Sequence, residues 1–212
     1  MRTSLPTIND QDFRRLLDRL QFTNEGPVFF VEIGAYDGIA GDPIYHKAIE
    51  YQWSGLLAEP IKDFFERLRK NYAVNQNVIL ENVAVNREHG SRAMFRKGNL
   101  SSASLERNIN FETGEITEEL VMCITLGGLL ERHHIRQIDL LQIDAEGKDL
   151  DIIEDFDFDT FFPAVINFEA NVISNPSRVN QVLQKLTDLG YTLYNHVWDQ
   201  AKHDITATIL EF

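Results

Sequence analysis

The stretch FVEIGAYDG, Phe30 to Gly38, limits the possible folds of this chain more than any other. An apolar run from Pro27 to Ile33 reads as a buried strand, and it breaks at once into a turn carrying Gly34 and Gly38. Glu59 then closes a second apolar run, GLLAEP. A strand, a glycine turn and an acid at the end of the next strand is the arrangement with which a doubly wound α/β fold holds an adenosine ribose. Glycine lets the backbone come close to a ligand, and the carboxylate accepts hydrogen bonds from ribose hydroxyls.

The remaining pattern alternates helix and strand. Asn9 or Asp10 caps a helix to about Leu20, with Phe13, Leu16, Leu17 and Leu20 on one face. Strands are expected at Val28 to Ile33, Gly55 to Ala58, Val78 to Val85, Ile138 to Ile143 and Ala164 to Phe168. Helices are expected from Pro43 to Tyr51, from Pro60 through Leu68, over Leu126 to His134 and Leu150 to Glu154, and from Pro176 to Leu189 with Gly190 as its stop. Between Asn86 and Glu119 the pattern is weaker: Arg92 to Phe95 reads as a strand and the acidic Ile109 to Glu119 as a covering loop, followed by a short strand from Val121 to Thr125. Tyr191 to Asn195 and Ile205 to Leu210 form a closing strand pair. This order predicts an α/β protein, a mostly parallel, doubly wound sheet ending in an antiparallel strand pair. A chain of 212 residues suits one domain, with residues 1–26 as a helical lead-in, and it can equally be one domain of a longer protein.

Charge narrows the partners. A formal net charge of -13 argues against a sequence-independent grip on nucleic acid and against docking on anionic lipid. Neutral substrates, cationic cofactors and divalent metals suit such a field. No apolar stretch reaches the roughly 20 residues of a membrane span, and the first residues lack the apolar core of a signal peptide. Cys123 is the only cysteine, so no internal disulfide can form; a core role and a reducing, cytoplasmic setting are expected.

The expected strand ends collect acids: Glu59, Asp144 and Glu169, with Asn171 just beyond. Each alone is an ordinary helix cap. Together on one rim they repel, unless a cationic guest such as a sulfonium cofactor or a divalent ion sits among them. The turn also lacks the G-x-G-x-x-G of a pyrophosphate site and carries Asp37 instead. An acid there opposes pyrophosphate and attracts the ammonium and sulfonium of S-adenosylmethionine, which favours the methyl donor.

VEIGAYDG, GLLAEP, ENVAVN, ITLGGLLERHHIRQIDLLQIDAEGKDLDII and VINFE occur in the order seen in FkbM-type methyltransferases, which the chain resembles from about Phe29 to Phe168. The resemblance implies a Rossmann-like class I methyltransferase fold, S-adenosylmethionine as cofactor, and O-methylation of a sugar, glycan or related small molecule. It also implies site residues. Glu32, Gly34 and Gly38, with Ala35, Tyr36 and Asp37 between them, match the cofactor loop; Glu59, followed by Pro60, matches the ribose acid. Asn82, Ala84 and Val85 match the segment bordering adenine, and Ser101 or Ser102 a small polar position near the cofactor. Asp144 and Glu146 match the strand-four signature and Glu169 the acid ending strand five, whereas Lys148-Asp149 departs from the small or apolar residue and Glu usual there.

Asp144, Glu146, Lys148 and Glu169 are thus the candidate catalytic groups. Asp144, Glu169 and Asn171 form an oxygen-rich set suited to Mg²⁺ or Mn²⁺, similar to catechol O-methyltransferase. The alternative has no metal: Asp144 meets the methionine ammonium and Glu169 the acceptor. His133-His134 is expected on the opposite rim and His46 in solvent, while His196, Trp198 and His203 can wall an acceptor site. An N-methyltransferase and a non-catalytic partner subunit are the competing functions.

Overall fold

The computed structural model describes residues 5–97, 103–105, 116–170, 176–197 and 203–211. The sequence-matched residues Ser101, Ser102 and Asn171, and Trp198, lie outside them. The main sheet has eight strands: β1 (Thr7–Asn9), β2 (Phe29–Ile33), β3 (Ser54–Ala58), β4 (Val78–Glu81), β9 (Leu140–Ile143), β10 (Val165–Glu169), β11 (Thr192–Val197) and β12 (His203–Thr208). Their order is β1-β11-β12-β10-β9-β2-β3-β4. All neighbours are parallel except β12, which is antiparallel to both β10 and β11. A second sheet, β5-β8-β6-β7, is built from β5 (Ala84–Val85), β6 (Gly90–Lys97), β7 (Ala103–Ser104) and β8 (Ile116–Ile124).

Helices cover both faces of the main sheet. Alternate strand residues point to opposite sides: Phe30, Leu57, Leu140 and Val165 pack with α1 (Asp10–Thr23), α2 (Tyr45–Glu50) and α3 (Lys62–Asn71). Val31, Leu56, Leu141 and Ile166 pack with α4 (Leu126–Arg132), α5 (Asp149–Asp155) and α6 (Pro176–Asp188). The chain winds outward from β2 to β4 in one direction and from β9 to β10 in the other. The strand order therefore reverses between β2 and β9, and ligands of such sheets bind outside the strand ends at that point.

The N-terminal helix starts where expected. The Asn9 side chain accepts the Asp12 N–H at 3.0 Å, and the Asp12 carboxylate accepts the Asn9 N–H at 3.2 Å, a reciprocal capping box. Asn9→Ala is expected to cost about 1 kcal/mol, read as a lower urea midpoint at unchanged slope.

Three expectations need correction. Val78 to Val85 is two strands in two sheets. The Asn82 amide donates to the carbonyls of Glu59 and Pro60, at 2.8 and 2.9 Å, and turns the chain out of the main sheet; Ala84 and Val85 then pair with Cys123 and Ile124. The described part of the acidic Ile109–Glu119 loop, Ile116 to Glu119, is strand, paired with Phe95 to Lys97 and Met94 of β6. Pro43 lies ahead of α2, because the Asp42 carboxylate takes the Ile44 N–H at 2.6 Å and holds the chain in a turn.

Candidate functional site

Gly34 ends β2 against the end of β9. Its N–H donates to Ala58 O at 2.9 Å, and the Asp144 N–H donates to Ile33 O at 2.9 Å, so the ends of β3, β2 and β9 are tied side by side. The Gly34 φ is +80°, and a Cβ there would stand 2.0 Å from the Asp144 carbonyl oxygen. Gly38 serves packing: a Cβ would fall 2.5 Å from Leu68 and 2.7 Å from the Tyr72 ring. Between them Tyr36, at φ +48°, reaches into the cavity, while Asp37 caps the turn by accepting from the N–H groups of Ile39 and Ala40.

Above these strand ends opens a hollow, about 810 Å³ when the open solvent at its mouth is included. Of the sequence-matched residues, Gly34, Tyr36, Glu59, Pro60, Ala84, Val85, Asp144, Glu146 and Lys148 line it. The inner face of the second sheet closes it with Met94 and Ala103, a wall that the sequence reading did not anticipate. Glu32, Ala35, Asp37, Gly38 and Asn82 stand behind the lining and shape it.

Glu59 is the best-defined group. One carboxylate oxygen accepts the Tyr36 N–H at 2.9 Å and the other the Ile61 N–H at 2.7 Å. Each oxygen keeps a second lone pair, which is what a ribose diol needs. Burial pushes the carboxyl up to about 8 despite these two bonds, with Asp144 and Glu119 adding repulsion. Beneath it Glu32 is raised by burial and by Asp42, Asp144 and Glu59, and Asp42 is raised to about 7, mainly by burial. One buried carboxylate oxygen each of Glu32 and Asp42, and the Tyr72 hydroxyl, have no hydrogen-bond partner among the described residues. This floor of acids favours a cationic occupant. Glu59, with a lone pair left on each carboxylate oxygen, and Gly34, allowing close backbone approach, fit S-adenosylmethionine.

The signature after β9 is held by a residue whose role the sequence reading missed. Asp149 is 2% exposed. Its carboxylate accepts from the N–H groups of Gly147 and Glu169, at 3.3 and 3.2 Å, and is 3.4 Å from the Ala145 N. It thus ties the loop after β9 to the end of β10. Burial first, then Asp144 and Glu169, raise its carboxyl well above the usual range. Glu146 is held at φ +48°, an uncommon backbone for a residue with a side chain, and its carbonyl accepts the Ser104 hydroxyl at 3.3 Å. Lys148 lies 3.8 Å from Asp151.

Glu169 does not join the lining. Asp144 faces the cavity, Asp144 and Glu169 both lie close enough to Asp149 to raise its carboxyl, and Asn171 falls outside the described residues. Among the described residues no group of three His, Cys, Asp or Glu side chains is placed to hold a metal ion.

The histidines are corrected too. His133 is not on the far rim: its Nε2 lies 2.5 Å from Glu81 Oε1 at the carboxyl end of β4, although neither residue lines the cavity. His196 is fully buried in the sheet under Phe13, its ring 4.7 Å from the phenyl centroid, so it cannot wall an acceptor site; burial lowers its pKa to about 4. His46 is exposed, and Cys123 and Trp53 are core residues.

The fold and site together define a class I S-adenosylmethionine-dependent methyltransferase. Solved structures of that class share it. The FkbM methyltransferase from Methylobacillus flagellatus KT matches with a TM-score of 0.54 at 12% identity, over 98% of this chain and 46% of that one. Human methyltransferase 10 domain containing protein matches with a TM-score of 0.54 at 11% identity, over 95% and 82% of the two chains. The N-terminal domain of human METTL16 gives 0.51 at 11%, over 95% and 70%. The profile described as the methyltransferase FkbM domain matches residues 32–193, and the chain belongs to that family. No curated protein matches it significantly. No helix among the described residues is long and apolar enough to cross a membrane.

Proposed function

We propose that this protein transfers the methyl group of S-adenosylmethionine to a hydroxyl of a sugar, glycan or related small molecule. The observation that carries the reading is the shared lining: the Glu59 carboxylate, the Gly34 backbone and the Asp144–Lys148 loop face one hollow. The bound cofactor supplies an electrophilic methyl on a sulfonium. The chain's part is alignment and proton removal. Glu59 and Gly34 fix the nucleoside end. Asp144 offers negative charge to the ammonium. Glu146, half-buried in the lining with its backbone locked, is positioned to take the acceptor's proton. Lys148 neighbours it and holds Asp151.

The hydroxyl acceptor rests on the carboxylates of the lining and on family resemblance. The acidic chain also supports a small acceptor over a nucleic acid, and a cytoplasmic setting fits its lone buried cysteine. Incubation with S-adenosylmethionine and a panel of sugars, phenols and amines, followed by mass spectrometry, tests the reading. A product 14 mass units heavier from a hydroxyl compound is expected, the added mass being roughly one CH₂. Methylation of amines alone would overturn it. Glu146→Gln is expected to lower kcat by about 10²-fold or more with cofactor affinity unchanged, as for loss of a general base.

A further inference from the structure

At the rim of the hollow, two arginines are stacked on one ring. Arg67 of α3 and Arg96 of β6 place their guanidinium carbons 5.4 and 5.0 Å from the centre of the Phe64 ring. Tyr36, which lines the hollow, meets the same ring edge-on at 4.5 Å, and its hydroxyl is 3.5 Å from an Arg67 nitrogen. Met94, also in the lining, shares its side of β6 with Arg96. Neither arginine pairs with a carboxylate among the described residues, although Arg14, Arg69, Arg87, Arg92, Arg132 and Arg178 all do.

Of the acids nearby, Glu119 accepts the Lys62 N–H at 3.1 Å, Asp37 caps its own turn, and Asp63, one helical turn before Arg67, forms no ion pair with it. Two like charges gathered on one aromatic ring repel, and in a chain of net charge -13 there is no shortage of carboxylates to neutralise them. Stacking restricts each guanidinium while leaving its N–H groups available, which suits the planar, two-pronged grip on an oxyanion.

We propose that Arg67 and Arg96, beside the Tyr36 hydroxyl, bind a carboxylate or phosphate carried by the methyl acceptor. The enzyme then selects acidic acceptors over neutral ones of the same shape. This rests on the hollow being the site of methyl transfer, and it adds an electropositive rim to an electronegative floor. The floor takes the cationic cofactor and the rim takes the anionic end of the acceptor.

The test is ligand-observed NMR titration of protein loaded with S-adenosylhomocysteine. Matched probes are glucuronate and glucose 6-phosphate against glucose, and 3,4-dihydroxybenzoate against catechol. The acidic member of at least one pair is expected to bind tenfold or more tightly than its neutral partner. The glucuronate and phosphate arms identify which oxyanion is taken. In Arg67→Gln/Arg96→Gln the preference is expected to fall below threefold, with S-adenosylhomocysteine affinity within twofold of wild type. Arg67→Gln alone, at an exposed position, is expected to cut the preference at least threefold and serves if the double variant does not fold.

A preference under tenfold in every pair, including no binding by any probe, would overturn the proposal. So would a preference that survives in the variants. Loss of cofactor affinity beyond twofold would do the same, by assigning the arginines to the cofactor's own carboxylate. Preference within the phenol pair alone would retain the electropositive rim and reject the sugar.

Discussion

Gly34→Ala is expected to abolish detectable cofactor binding and to lower the melting temperature. Two independent costs meet at this residue. Its φ of +80° lies in the left-handed region, which costs a residue with a Cβ roughly 1–2 kcal/mol. The added methyl would also stand 2.0 Å from the Asp144 carbonyl oxygen and 2.9 Å from its carbonyl carbon. Those are backbone atoms in a loop anchored by the Asp144 N–H to Ile33 and by the Asp149 carboxylate, so no side chain can swing aside. Relief requires the ends of β2 and β9 to part, and the hollow opens between those ends.

A total loss of about 2–4 kcal/mol is expected, combining backbone strain with overpacking. Calorimetric titration with S-adenosylmethionine and thermal unfolding together read it. Gly190→Ala is the control. Its φ is +94° but a Cβ there meets nothing within 4 Å, so it should lose about 1 kcal/mol of stability and bind cofactor normally. Normal cofactor affinity in Gly34→Ala would show that the turn does not shape the site.

The parts of this molecule legible in its sequence share a physical cause. β2, β3 and β9 are buried on both faces, so they read as continuous apolar runs and their polar ends stand out. Gly34, Glu59 and Asp144 were visible for that reason, and they line one hollow. The second sheet was legible only in part: the strands expected at Arg92 to Phe95 and Val121 to Thr125 fall in β6 and at the end of β8, but their full extent was hidden because the sheet is covered on one face only and its alternation is blurred. Leu120 and Met122 point outward, at 73% and 57% exposure, while Glu119 points inward toward the α3 N-terminus. Charged and apolar residues thus fall on the wrong sides for a simple period of two.

β1 was missed because three residues carry almost no pattern; it exists through pairing with β11, far along the chain. Asp149 was read as a departure, since nothing local shows that an acid in the first turn of a helix will reach back to three backbone N–H groups. Glu169 also stands out as a strand-end acid; its N–H donates to the Asp149 carboxylate, and it is not among the residues that line the hollow.

Glu59→Ala is expected to weaken S-adenosylmethionine by 10²-fold or more, whereas Glu169→Ala should leave its affinity within about threefold. Two hydrogen bonds to a charged carboxylate are worth about 1.5–3 kcal/mol each, and both would be lost. Part of the stability goes as well, because the N–H groups of Tyr36 and Ile61 lose their acceptor in a buried setting.

The wild-type pH dependence supplies a sharper test. The Glu59 carboxyl is raised from 4.5 to about 8 in the free protein. Between those values the folded chain keeps a proton that the unfolded chain has lost, so stability from this group falls as pH rises through the window. Binding runs the other way. Accepting two ribose hydroxyls requires the ionised carboxylate, so cofactor binding expels the proton and tightens with pH, by at most about tenfold per unit, until near pH 8. Calorimetry in buffers of different ionisation enthalpy should register up to one proton released at pH 6–7, and none in Glu59→Ala. Cofactor affinity equal in wild type and Glu59→Ala would remove Glu59 from the ribose. Affinity independent of pH with no proton release would show instead that the carboxyl is already ionised before the cofactor arrives.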